Sequence, residues 1–173
     1  MHLVFTLLMI FAAFRWGDWR NWKHYQASMF YVATGGLLYE YLTRTYTLWK
    51  FHADILYNEQ IVVSIYALIT MPLSVLLFLS RYPVSKRALA KIRYYAVWIF
   101  IYIAGEFFLR HAGYISYENG WTFWYSLLFD IMMFPMIRLH YIKPGPALIL
   151  SVGITVFLML WFGVPMEKGP VPR

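Results

Sequence analysis

The sequence predicts an all-α fold: a polytopic transmembrane helix bundle of six spans (five if the first falls short), with both termini outside. Three observations carry this. Hydrophobic residues make up 61% and charged residues 13% of the 173-residue chain, against roughly 45–50% and about 25% in soluble domains. Apolar residues recur in six blocks near spanning length, and the mean hydropathy is +0.55. Lys and Arg, 15 against 8 Asp and Glu, gather in alternate loops. Aromatic content of 21% excludes a disordered chain, because a solvated coil cannot leave that much apolar surface exposed. The absence of cysteine removes disulfides, thiolate metal sites and cysteine nucleophiles together.

A spanning helix needs about 20 mostly apolar residues, with a range of roughly 17–25. The blocks fall at residues 2–16, 25–42, 61–80, 94–109, 121–137 and 147–164. The first is short and needs local thinning of the bilayer, with Arg15 snorkelling and Trp16 at the interface. It lacks a basic leader region and a small-x-small cleavage site, so it reads as a retained anchor. Gly17 then breaks the helix, and Asp18 is a good N-cap for a second helix starting at Trp19. In that helix Ala33, Gly36 and Glu40 form a small-residue face, where Gly35-Gly36 lets another backbone approach.

Residues 43–60 are long for a bundle loop. Leu48, Phe51, Ile55 and Leu56 fall near the 3.6 period with Lys50, Asp54 and Glu59 elsewhere, which predicts a short interfacial helix lying in the outer headgroups or acting as a lid. Pro72 in the third span and Pro135 in the fifth should free the carbonyls of Leu68 and Ile131. Such carbonyls must be satisfied by protein, water or an ion. Residues 1–168 read as one bundle domain. The tail 169–173 is polar, and its Val-Pro-Arg ending matches the scar of a thrombin-type cleavage.

Positive charge is retained on the cytoplasmic side. Arg15, Arg20, Lys23, Arg81, Lys86, Arg87, Lys91, Arg93, Arg138 and Lys143 occupy the first, third and fifth loops, whereas Arg44, Lys50, Arg110, Lys168 and Arg173 lie on the other side. The net charge of +7 therefore reads as orientation and contact with anionic lipid headgroups, not nucleic acid. Trp16, Trp19, Trp22, Arg20 and Lys23 are the expected lipid-interface residues.

The functional pointer is acid inside the membrane, where a charged side chain costs roughly 2.5–3.5 kcal/mol even on the lenient insertion scale. Glu40, Glu106 and Asp130 qualify. From the outer ends of their spans they sit about 3, 5 and 14 Å deep at 1.5 Å per residue. Thr122, Ser126 and Asp130 share one stripe of the fifth span, and Tyr102, Glu106 and Arg110 share one of the fourth. Further stripes are Ala147, Ser151 and Thr155 on the sixth span and Thr70 with Ser74 on the third. Asp130 has no partner on its own helix. Arg110, His111, Tyr39, Tyr41 and Tyr102 are candidates from elsewhere, whereas Arg110 is one turn from Glu106 and able to pair with it. An acid at mid-membrane beside broken helices is how many transporters build a cation or proton site.

Enzyme readings are weaker. The five histidines show no metal-binding spacing, and no phosphate loop, nucleophile elbow or dinucleotide fingerprint occurs. Glu106-x-x-x-Arg110 resembles part of the prenyl-protein (CAAX) protease signature, without its doubled Glu and with too few helices. No cofactor, metal or catalytic residue is expected.

Across most of its length the chain resembles a family of small polytopic membrane proteins from spore-forming Gram-positive bacteria. The resemblance is carried by residues 18–25 (Asp-Trp-Arg-Asn-Trp-Lys-His-Tyr), Glu106, residues 117–121 (Tyr-Glu-Asn-Gly-Trp), Ser126, Phe129-Asp130, His140 and Pro144. It supplies no activity to transfer, but it implies a location in the bacterial cell membrane and one shared site for Asn119-Gly120-Trp121 and Asp130. The expected function is a transporter or channel component for a small cation, proton or proton-coupled solute, with Asp130, Glu106, Glu40, Ser126, Thr122, Arg110 and Asn119 along its pathway. The alternative is a non-catalytic accessory, scaffold or lipid-binding membrane protein, with an intramembrane enzyme third. So small a bundle is expected to form a homo-oligomer or to join a partner membrane protein.

Overall fold

The computed structural model describes residues 1–53 and 58–165. Among them the chain forms six helices and a two-stranded sheet: α1 (His2–Trp16), α2 (Trp22–Leu42), β1 (Trp49–Phe51), α3 (Glu59–Ser80), α4 (Ala88–His111), β2 (Ile115–Tyr117), α5 (Phe123–Ile142) and α6 (Pro144–Trp161). Helices α3, α4 and α6 are long and apolar enough to cross a membrane, which defines a helical membrane protein. Helices α2 and α5 have the length, at 21 and 20 residues, but polar side chains interrupt their apolar surface. Helix α1 has 15 residues.

Successive helices run between two ends of the bundle. At one end His2 Nε2 hydrogen-bonds with the carbonyl of His52 at 3.0 Å, and Phe162 and Val164 pack on Leu48 beside the sheet. At the other, Arg81 Nε donates to the Trp16 carbonyl at 2.9 Å. We call these the sheet end and the basic end, since Arg15, Arg20, Lys23 and the residues from Arg81 to Arg93 gather at the second.

Helix α3 is the centre. Half of the residues in its apolar stretch are buried, against very few in α4 and α6, which cover the core with part of their surface only. Helices α1 and α2 both pack along α3, α2 also touches α5, and α5 carries α4 and α6. Gly36 explains how α2 comes so close: a Cβ there would stand 3.3 Å from the Ala67 Cβ of α3. Small residues let membrane helices approach in this way. Towards the basic end, Val75, Phe78 and Leu79 of α3 and Phe134 and Ile137 of α5 form a core ringed by Tyr94, Tyr95 and Trp98 of α4. The Phe78 and Phe134 rings meet at 5.1 Å and 54°.

Four expectations change. Residues 49–51 form a strand instead of an interfacial helix, pairing antiparallel with β2 so that Trp49, Lys50 and Phe51 face Tyr117, Ser116 and Ile115. Bonds from His52 N to Tyr114 O and from Glu118 N to Leu48 O, each 2.9 Å, lengthen the ladder. A partner more than 60 residues away leaves no trace in local periodicity. Asp54, Ile55 and Leu56 of the expected helix, Lys168 and the tail 169–173 lie outside the described residues.

Secondly, Asp18 caps a single 3₁₀ turn, Trp19–Asn21, and α2 starts at Trp22. Trp16 therefore ends α1, Trp19 opens the turn and Trp22 opens α2. Thirdly, Pro72 does not break α3. The helix widens over Tyr66–Thr70, where the Met71 N–H reaches the Tyr66 carbonyl five residues back, a π-type turn that absorbs the proline's missing donor. Fourthly, helix limits move: α4 begins at Ala88 and carries Lys91 and Arg93, α5 runs on to Ile142, and α6 spans Pro144–Trp161. Proline suits a first helical turn, where its missing N–H has no partner to lose.

Replacing Gly36 by leucine should loosen the α2–α3 contact and lower stability by about 1–3 kcal/mol, the usual range for overpacking. Gly35 has nothing within 4 Å of a built Cβ, so Gly35→Leu is the matched control. Thermal melts of the two variants in detergent should differ, Gly36→Leu alone falling below the parent.

Candidate functional site

Helices α4 and α5 face each other, and their polar stripes form a column that starts at the sheet. Asp130 is 6% exposed in the middle of α5. Its Oδ2 is buried and has no hydrogen-bond partner among the described residues; Trp49 Nε1 is the other such atom. The groups acting on it come from α4: the carboxylate of Glu106 and, one turn along, the hydroxyl of Tyr102. Tyr102 in turn hydrogen-bonds with Ser74 Oγ of α3, which also donates to the Met71 carbonyl at 2.7 Å.

Glu106 links Asp130 to the sheet. The Tyr117 hydroxyl of β2 donates to Glu106 Oε1, and the buried Ser126 hydroxyl, one turn above Asp130, faces the same carboxylate. Trp121 Nε1 donates to Ser126 Oγ at 2.9 Å. Burial first, and then the bond to Glu106, push the Tyr117 hydroxyl well above its ordinary value. The column is thus Tyr117, Glu106, Ser126, Asp130, Tyr102 and Ser74, drawn from four elements.

The expected pathway residues divide. Glu106, Asp130 and Ser126 come together. Arg110 forms no ion pair with Glu106 among the described residues; its guanidinium lies 4.3 Å over the Tyr117 ring, so it joins the column through an aromatic face. Glu40 sits at the end of α2, with no hydrogen bond or ion pair to Glu106 or Asp130 among the described residues. Thr122 is exposed just before α5. Asn119 belongs to a tight turn with Gly120, both at positive φ (50° and 83°). Its Nδ2 donates to the Thr47 carbonyl at 2.7 Å, while Thr47 Oγ1 donates to Glu118 at 2.5 Å. Of the expected 119–121 site, Trp121 alone reaches the column.

Of the other partners considered for Asp130, His111 stacks on Phe107 at 6.0 Å and 13°, Tyr39 is bonded to both backbone groups of Trp49, and Tyr41 is 76% exposed. Of these candidates Tyr102 is the one whose hydroxyl feels the Asp130 carboxyl. Sequence reading placed Tyr102 and Ser74 on polar stripes and named Tyr117 only among the residues of the family resemblance; its bond to Glu106 needs the β1–β2 pairing. Among the described residues no group of three or more His, Asp or Glu is arranged to hold a metal ion.

At the basic end Trp16, Trp19 and Trp22 are 49%, 42% and 37% exposed, a partial exposure suited to an interface. Trp19 Nε1 donates back to the Ala13 carbonyl at 2.7 Å. The Asn21 side chain, donating to both Asp18 oxygens at 3.2 and 3.0 Å, holds that carboxyl below its ordinary 3.8. Comparison with protein-family models, with curated proteins and with solved structures finds no match. The class defined by the fold and the site is a helical membrane protein with one buried and one half-buried acid on two adjacent helices.

An unpaired buried acid is a liability, so Asp130→Leu should melt at or above the parent temperature, whereas Tyr117→Phe, which strips Glu106 of its donor, should cost about 1–3 kcal/mol. Because the Asp18 carboxyl is depressed in the folded state, its capping contribution holds at neutral pH and fades as pH falls below 3.8. Tryptophan fluorescence of the parent, followed through that range, should show a step that Asp18→Asn lacks.

Proposed function

We propose that the protein is a transporter or channel component of the bacterial cell membrane for a proton, small cation or proton-coupled solute, with Asp130 as its central ionisable site. The single observation carrying this is the buried Asp130 oxygen without a hydrogen-bond partner among the described residues, on the same face of α5 as the Ser126 hydroxyl that faces Glu106. A group placed only to hold helices together would be bonded; an ionisable one kept unpaired in an apolar interior is a site by default. Glu106, Tyr117 and Ser126 form the approach from the sheet end, with Arg110 flanking it. The widened turn before Pro72, and Pro135 in α5, supply backbone able to rearrange beside the acids.

In this reading all six helices cross, the basic end faces the cytoplasm and the sheet faces outside. Ten of the chain's Lys and Arg lie at the basic end, as cytoplasmic retention of positive charge requires. Arg20 and Lys23 with Trp16, Trp19 and Trp22 would meet anionic headgroups there. The uncovered flanks of α4 and α6 leave room for a second copy or a partner membrane protein.

A second reading has its own support. The bonds between Thr6 and Thr70 at 3.0 Å and between Tyr31 and Ser151 at 2.6 Å close helix contacts pairwise, as a non-catalytic accessory or scaffold would require.

Ion and proton flux into proteoliposomes, parent against Asp130→Asn at equal incorporation, separates the two. Transport predicts flux that falls at least tenfold in the variant. Absence of flux above empty liposomes, with both proteins folded, leaves the scaffold reading.

A further inference from the structure

Helix α5 buries one face from end to end, and that face changes character along its length. Ser126, Asp130, Phe134, Ile137 and His140, spaced by four, four, three and three residues, are all buried. Polar groups stand at both ends with an apolar section between. His140 lies ten residues beyond Asp130, about 15 Å along the axis at 1.5 Å per residue.

His140 is built into a second polar group on the far side of that section. It is 7% exposed. Its Nδ1 hydrogen-bonds with Ser28 Oγ of α2 at 3.0 Å, Ser28 itself being 1% exposed. The ring stacks on Tyr31 at 4.2 Å and 12°, and the Tyr31 hydroxyl bonds with Ser151 Oγ of α6 at 2.6 Å. The other ring nitrogen, Nε2, bonds no described residue yet is not sealed in the interior. Of the titratable and charged groups around it, Tyr31 of α2 faces the ring. On its own helix, Arg138 lies over the rings of Tyr82 and Tyr141, and no ion pair among the described residues includes His140. A buried imidazole with one nitrogen anchored and the other open can pass a proton, which the structural task of joining α2 to α5 does not require.

The geometry points to His140, with Ser28 and Tyr31, as a second proton-exchange site: the basic-end half of the route whose sheet-end half is Glu106 and Asp130, with Phe134 and Ile137 as the barrier between. This rests on the reading of Asp130 as a transport site. Protons are the ligand class because His140 offers no carboxylate or second imidazole to hold a metal, and Phe134 and Ile137 pack with Val75, Phe78 and Leu79 too tightly for a solute. Transfer across the barrier then needs those side chains to move, and the widened α3 turn lies just before the Val75–Leu79 segment that packs on them.

The test is proton flux in proteoliposomes for the parent, His140→Ala and His140→Gln, each checked for folding by its thermal melt, with and without added imidazole. The expected result is a loss of at least tenfold in His140→Ala, restored by millimolar imidazole, while the infrared carboxyl signal of Asp130, identified by its absence in Asp130→Asn, is unchanged. Undiminished flux in His140→Ala overturns the inference, as does flux lost from His140→Ala, not restored by imidazole, and retained in His140→Gln, which keeps a partner for Ser28. A parent without flux is a different failure: it removes the transport reading, and this half of the route with it.

Discussion

The close contact of α2 with α3 at Gly36 and Ala67 sets the positions of the elements around it. With no side chain between the two backbones, α3 sits deep enough to touch helices on both flanks. Thr70 then reaches Thr6 of α1, Ser74 reaches Tyr102 of α4, and Phe78 reaches Phe134 of α5. These three bonds and contacts lie on successive turns of one helix.

Around that axis the interior is sorted by polarity along its length. The sheet end holds the acids and their donors, the middle holds aromatic and aliphatic side chains, and the basic end holds His140 with two hydroxyls. Hydrocarbon offers polar groups nothing to bond with, so each must be satisfied by another helix. Most are. Among the described residues Asp130 Oδ2 and Trp49 Nε1 are the exceptions, and the isolation of Asp130 is a property of its neighbours: the nearby hydroxyls already serve Glu106 and Ser74.

Much of this could be read from the residues. Composition and alternating charge gave the helical class, and the four-residue spacing of Ser126 to Asp130 and of Tyr102 to Glu106 located the two stripes that meet. Gly36 and Ala33 correctly marked a close-packed face. What could not be read was anything set by contacts distant in sequence. The β1–β2 ladder replaced an expected helix because Leu48 and Phe51 suit either structure until Ile115 and Tyr117 arrive beside them. Arg110 looked like a partner for Glu106 at one helical turn, yet the Tyr117 ring captures its guanidinium and the Tyr117 hydroxyl takes its place on the carboxylate. For Glu40 the depth is a matter of helix length, but which neighbour it faces depends on a helix order that no spacing encodes.

The sheet has a consequence for the order of biosynthesis. Trp49 emerges from the ribosome early, but its partner Tyr117 is made only after all of α3 and α4. The strand therefore waits, unpaired, while two helices are completed and delivered. Tyr117 is also the donor to Glu106, so that bond, like the ladder, waits for the synthesis of β2, and one late segment completes both the sheet and the acid's hydrogen bond.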